Sequence, residues 1–382
     1  MTEKESALYS QYIIDGIRYD ATPAELLDEC MKSPLHEIPS PSGFADIIDE
    51  STDPPVTSFT YDNRHDLEYA GKCLRHYHEE RAFRMLYPES FTKQRIAYAL
   101  LDLLWNEGHY RLGDLSIWAS WNWNTRPLGN MAAFYRSAEA AGSYLFDLGV
   151  KLEDYIYEEN DEESRTHFYA WLPEKNEDEE EEDNSFRSSP FESFNPWISE
   201  NRMCPDTMIP APSSWIIYIP FDTCQFSLGG SLLAQTHGHN GGNAPRIQDP
   251  DYFIDCYEVV RELAEDGIIM SAVTVSDGGL ATAASRLCGS NGLDMDISGL
   301  LSSYQDNDTT RMLFSEVPGV LIQISDNDYD YIDSQLILQD VAYYPIGHPS
   351  AGFSGIRFRN EKSSDVAGIL ASLLGQASEG ED

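Results

Sequence analysis

The chain has 382 residues, of which 41% are hydrophobic and 12% aromatic, enough for packed cores and for two or three domains. Its formal net charge is −40, which excludes nucleic acid and anionic membrane surfaces as natural partners. No stretch approaches the roughly 20 apolar residues needed to span a bilayer, and MTEKESALYSQY has no signal-peptide pattern, so a cytoplasmic protein is expected. The six cysteines are scattered without a CxxC pair, which reads as reduced, mostly buried thiols rather than a zinc site or a disulfide framework.

In chain order, residues 1–55 read as an acidic extension with one short helix, Pro23 to Met31. A helix is expected from Leu67 through Leu86, then a second over Thr92 to Asn106 after the Pro88-Glu89-Ser90 break. Leu115 to Trp121 reads as a strand and Pro127 to Gly149 as a region with a small-residue helix. These define a first domain over 56–151. Residues 152–204 read as an acidic insertion, because Glu177 to Asp183 is an unbroken acidic run, which is usually a solvated loop.

A second domain is expected over 205–365, with a polar tail at 366–382. Trp215 to Pro220 reads as a strand, Gly229-Gly230 as the start of a helix over Ser231 to Gln235, and Asp251 to Asp266 as an amphipathic helix. Met312 to Phe314 and Val320 to Ile324 read as paired strands, Tyr329 to Gln335 as a short helix, and Leu336 to Ile346 as a last strand.

Within this domain, Ile268 to Val275 reads as a buried strand, Ser276-Asp277-Gly278-Gly279 as a tight turn, and Leu280 to Leu287 as a helix. Two glycines let backbone approach a ligand, a helix N-terminus offers N–H groups to an anion, and a carboxylate beside that anion suits Mg²⁺. Asp277 can equally serve as an ordinary acidic turn that caps its helix.

His237 and His239, in Thr-His-Gly-His, lack a third ligand nearby and make a poor metal site. Trp121 and Trp123 share one strand face and Trp118 the other, which reads as core or interface.

Several stretches occur in an order that resembles phosphoribosylformylglycinamidine synthase. Leu228-Gly-Gly-Ser-Leu-Leu-Ala-Gln235, Val275-Ser-Asp-Gly-Gly-Leu280, Leu313-Phe-Ser-Glu-Val-Pro-Gly319 and Tyr344-Pro-Ile-Gly347 are similar to the C-terminal domain of its PurM-like repeats. Tyr69-Ala-Gly-Lys72, Glu80-Arg-Ala82, Gln94 to Asp102, Ser120-Trp-Asn-Trp123 and Pro127 to Tyr135 are similar to its N-terminal domain. The resemblance covers about residues 66–355, closest to the second PurM-like half. It implies an α+β, PurM-like fold with an N-terminal mixed-sheet domain and a C-terminal α+β domain.

It also implies an ATP-dependent conversion of an amide to an amidine in purine biosynthesis. Asp277, Glu316 and Asp102 would hold Mg²⁺ with ATP or ADP, while Ser276, Gly278, Gly279, Gly229 and Gly230 would approach the nucleotide. The partners implied are a homodimer or another PurM-like chain. Ammonia would come from a glutaminase partner, since no glutaminase segment is visible.

The departures are specific. Tyr98 stands where the family helix has Glu, Val273-Thr274 where it has His-Asp, and Leu152-Glu-Asp-Tyr-Ile where it has VDGGKDSLSM. The glycine-rich strand expected before residue 66 is missing. The chain therefore reads as a synthase-like protein unable to act alone, with a non-catalytic PurM-like structural or regulatory protein as the alternative.

Overall fold

The computed structural model describes residues 6–32, 59–172 and 202–358. The acidic run at 177–183 and the 366–382 tail lie outside them. In chain order the elements begin with a small hairpin, β1 (Tyr12–Ile14) and β2 (Ile17–Tyr19), and helix α1 (Pro23–Lys32). Then come α2 (Asp66–His76), α3 (Pro88–Asp102), β3 (Ser116–Trp123), α4 (Asn130–Asp147), β4 (Lys151–Glu159) and β5 (Arg165–Trp171). The second unit holds β6 (Ser214–Pro220), α5 (Leu232–Thr236), α6 (Pro250–Glu265), β7 (Ile269–Val275), α7 (Gly279–Cys288) and β8 (Gly292–Met295). It ends with α8 (Ser298–Ser303), α9 (Thr309–Phe314), β9 (Gly319–Ser325), α10 (Tyr329–Leu338), β10 (Tyr344–Ser350) and β11 (Gly355–Phe358).

The first unit is a three-stranded mixed sheet, ordered β4-β3-β5, with β3 parallel to β4 and antiparallel to β5. Alternation along β3 turns Trp121 and Trp123 toward the helices, and both are fully buried. Each indole N–H finds an acceptor, Ser137 Oγ at 2.9 Å for Trp121 and the Asn130 carbonyl at 2.8 Å for Trp123. Burying indoles at no unsatisfied cost requires such partners.

Three expectations for this unit need correction. Residues 152–171 are not part of an acidic insertion: they form β4 and β5, both paired with β3. Their inward residues Leu152, Phe168 and Ala170 are buried, but charged residues between them hid the strand alternation. Residues 6–32, read as part of an acidic extension, pack onto the first unit. Tyr12 and Tyr19 pack on Tyr135 at 5.0 and 4.7 Å, and the Ala7 amide donates to Glu159 at 2.7 Å. The helix expected through Leu86 stops at His76, and residues 77–87 run as a loop that carries Arg81 and Arg84. Phe83 on this loop is buried against Phe91 and Trp123, which produced the misleading periodicity.

The second unit is a six-stranded mixed sheet, ordered β11-β8-β10-β6-β9-β7. Its central strands are buried on both faces: all of β9 except Ser325 is buried. On its outer side, edge strand β7 is covered by the 202–205 segment: Ala272 N–H donates to the Pro205 carbonyl at 2.9 Å, and Arg202 donates to the Ala272 carbonyl. Met312 to Phe314 belongs to helix α9 rather than a strand, because Asp308 caps it through the Arg311 amide at 3.0 Å. Similarly α10 extends through Leu338, and the last stretch of sheet begins only at Tyr344.

Helix α3 joins the two units, packing on β5 of one sheet and β7 of the other. Its buried face is broad (Phe91, Ile96, Ala97, Leu100 and Leu101), which suits a helix held between two sheets.

Candidate functional site

The Ser276–Gly279 turn forms as the sequence indicates, between the end of β7 and the start of α7. Gly278 and Gly279 have φ of +75° and +65°, a conformation that only glycine adopts twice in succession at low cost. The space around them is filled by the chain itself. A Cβ on Gly279 would lie 2.7 Å from the Ser315 carbonyl oxygen and 2.8 Å from that of Leu313. One on Gly229 would lie 2.3 Å from the Asn243 carbonyl carbon. These glycines permit backbone to approach backbone.

Asp277 and Glu316 come together in the structure. What joins them is a guanidinium. Arg81, from the 77–87 loop, donates Nη1 to Asp277 Oδ1 and to Glu316 Oε2, the latter at 3.0 Å, and Nη2 to the Gly230 carbonyl at 2.6 Å. Arg95, on α3, binds Asp277 with both terminal nitrogens at 2.9 Å. The remaining Glu316 oxygen, Oε1, accepts the Leu232 amide at 2.6 Å and the Gly278 amide at 2.8 Å. The Glu316 main-chain carbonyl accepts Gln94 Nε2 at 2.9 Å and the Tyr98 hydroxyl at 2.7 Å.

The cluster is almost dry: the Arg81, Glu316 and Asp277 side chains are 4%, 4% and 12% exposed. Burial pushes the Asp277 carboxyl up, and the Arg81 and Arg95 guanidiniums outweigh it, holding the group below the usual carboxylate range. Burial likewise pulls Arg81 down, and Asp277 and Glu316 more than restore it, so its guanidinium stays charged. Two cations thus neutralise two anions, with bidentate geometry at Asp277.

The fit of Mg²⁺ follows from these donors. Both Asp277 oxygens and both Glu316 oxygens already accept N–H groups, and the Gly278 amide donates to Glu316 rather than standing free for a phosphate. The third acid, Asp102, sits apart at the C-terminus of α3. It lies exposed on a cleft wall, with protein close enough to raise its carboxyl, opposed by a hydrogen bond with the Thr274 side chain and by Arg286 and Arg202. Its open surface keeps that rise from weighing on stability. Among the described residues no group of three His, Cys, Asp or Glu is placed to hold a metal ion. The residues present do not fit Mg²⁺ in this arrangement.

The remaining candidates have structural partners. Ser276 Oγ lies 3.4 Å from the Tyr77 hydroxyl, which accepts from Arg286 at 2.6 Å. His237 bonds the Leu233 carbonyl through Nδ1 at 2.9 Å and packs edge-on against Phe59 and Tyr69. A cleft of about 340 Å³ borders the turn, lined by Tyr77, Arg81, Arg95, Asp102, His167 and Asp277, among others. A larger cavity of about 820 Å³, bounded by Asp66, Ser298, Asp306 and Arg357, holds none of these candidates.

Arg81, Gln94, Arg95 and Tyr98 carry the site, and the sequence reading assigned a role to none of the first three. Arg95 offered a signal: it stands between the buried Gln94 and Ile96 on α3, where a charge needs a partner.

Comparison with known proteins bears on the same region. Residues 225–351 match the family model of the AIR synthase related protein, C-terminal domain. A probable phosphoribosylformylglycinamidine synthase of Arabidopsis thaliana is 24% identical over 297 residues, covering 73% of this chain and 19% of that protein. The Homo sapiens phosphoribosylformylglycinamidine synthase is 28% identical over 126 residues, or 32% of this chain and 9% of that protein. The chain thus spans a fifth or less of the length of these curated relatives. Among solved structures, T. maritima PurL complexed with FGAR superposes with a TM-score of 0.53 at 13% identity, over 74% of this chain and 42% of that one. That likeness establishes the architecture, and the matches in sequence establish the kinship: the chain is a PurM-like protein related to phosphoribosylformylglycinamidine synthase, with an AIR synthase related C-terminal domain.

Proposed function

We propose that this chain is a non-catalytic member of its kin, a structural or regulatory PurM-like protein that does not itself convert the amide to the amidine. The observation that carries the reading is the neutralisation of Asp277 and Glu316 by Arg81 and Arg95. Phosphoryl transfer to an amide oxygen needs metal ligands and free phosphate donors, and here both sets are bound to the protein. The Tyr98 hydroxyl, in place of the family's carboxylate, is spent on the Glu316 carbonyl.

The test is direct. The purified chain is incubated with formylglycinamide ribonucleotide, ATP, Mg²⁺ and ammonia, and amidine formation is followed. No turnover is expected, and turnover above a catalyst-free control refutes the proposal. Nucleotide is tested by thermal shift: ligand at 100 times its Kd adds about 2.7 kcal/mol to stability. No shift is expected with millimolar ATP or ADP and Mg²⁺.

The catalytic reading has one observation in its favour, the cleft of about 340 Å³ in which Asp102, Tyr98 and His167 line one wall system beside the turn. Under that reading an ATP–Mg²⁺ complex and a glutaminase partner would be required, and the turnover assay decides between the two.

For partners we propose self-association, or pairing with another PurM-like chain, through the sheet face opposite α4. Trp118, His167 and Tyr169 share that face by register. Light scattering of the purified chain should report a dimer, and Tyr169→Glu should shift it toward monomer.

A further inference from the structure

The disagreement between the acids of the turn and a metal-binding role has a positive content. We propose that Arg81 is a resident cation that takes the place of a divalent metal between Asp277 and Glu316, so that the junction between the two units is complete without metal. The inference deepens the non-catalytic reading and can fail separately from it: a chain that turned over substrate yet ignored metal at Asp277 would sink the first and leave this one standing.

Three features carry it. The first is position. One Arg81 nitrogen, Nη1, touches an oxygen of each carboxylate, as a bridging metal ion would. The second is completeness. Arg95 takes the outer side of Asp277, and main-chain N–H groups of Leu232 and Gly278 take Glu316 Oε1, so no carboxylate oxygen of the pair is left without a donor. The third is provenance. Arg81 and Arg95 come from the 77–87 loop and α3 of the first unit, while Gly230, Asp277 and Glu316 belong to the second. A metal would be held by the acids alone, but a guanidinium is tethered to the first unit, so its ion pairs hold the two units together.

A buried guanidinium also differs from an ion in exchange. It cannot be removed by a chelator, and it stays charged across the accessible pH range. The chain should therefore be indifferent to divalent cations wherever its stability depends on this junction. Removing the tethered charge should expose two facing carboxylates in a nearly dry site, a combination that demands a replacement cation.

The experiment uses the full chain, stripped with chelator, and compares melting in MnCl₂ with melting in a monovalent salt of equal ionic strength. Wild type is expected to melt at the same temperature in both. Arg81→Met is expected to melt lower, and Mn²⁺ is expected to restore part of the loss. That rescue should disappear in Arg81→Met/Asp277→Asn, which separates the junction from the many surface acids. Two results overturn the proposal: a wild-type melting temperature that rises with Mn²⁺ and loses the rise in Asp277→Asn, or a folded Arg81→Met chain that ignores Mn²⁺. Should Arg81→Met fail to fold in chelator, refolding with Mn²⁺ is the measurement: recovery supports the proposal, and failure with Mn²⁺ overturns it.

Discussion

The Tyr98 hydroxyl donates to the main-chain carbonyl of Glu316 at 2.7 Å, tying α3 of the first unit to the segment between α9 and β9 of the second. Tyr98→Phe removes this donor and leaves the carbonyl with Gln94 Nε2, so the acceptor stays satisfied. The expected cost is that of one ordinary hydrogen bond, about 0.5–1.5 kcal/mol, read from urea denaturation. Gln94→Leu together with Tyr98→Phe strips the carbonyl of both donors and should cost more than the two single changes added.

Gly279→Ala should destabilise the chain by about 2–5 kcal/mol, from positive φ together with overlap on the 313–315 backbone. Gly267→Ala is the matched control. Gly267 has a φ of +69° with nothing within 4 Å of its would-be Cβ, so only the backbone penalty of about 1–2 kcal/mol applies. Equal losses for the two variants would show that close approach is unimportant at the turn.

The ion pairs at Asp277 set a pH dependence. Its carboxyl is held below the usual range in the folded chain, so its contribution is full above the unfolded value of about 3.9 and fades as pH falls through the folded value. Asp277→Asn leaves Arg81 and Arg95 short of a counter-charge and should cost about 3–5 kcal/mol at neutral pH. The gap between wild type and Asp277→Asn should narrow in denaturation series taken below about pH 4. A gap that stays constant to pH 2.5, roughly one unit or more below the ordinary carboxylate value, would contradict the ion-pair account.

All six cysteines are free and buried, and burial is the largest cause raising the thiol pKa of each. A thiol reagent should therefore react slowly with the native chain and rapidly with six groups in denaturant. Fast native reaction at one group would locate a local opening.

The sequence shows the second unit more clearly than the first. Strand β7, the turn and α7 are legible because a long apolar run, paired glycines and helical spacing coincide within twenty residues. Strands β4 and β5 are not, because their inward residues alternate with Glu, Asp, Arg and His that the sequence presents as a charged segment. The site is legible in its acids and not in its bases. Asp277 and Glu316 sit in recognisable motifs, whereas the loop carrying Arg81 reads as helix, because Phe83 and Leu86 continue the spacing of α2. Phe83 is indeed buried, but against β3 and α3, and Leu86 is exposed. Which cation faces those acids is decided by how two distant units dock, and no local pattern encodes that.

The Arg81–Glu316 bond joins residues 235 positions apart. Bringing residues so far apart together carries a loop-closure cost before the contact rewards it. We predict that the junction forms late in folding. Changes there should leave the refolding rate nearly untouched and act on the rate at which the native chain comes apart. In this sense Arg81 governs how long the two units stay docked once they have met, more than how quickly they find each other.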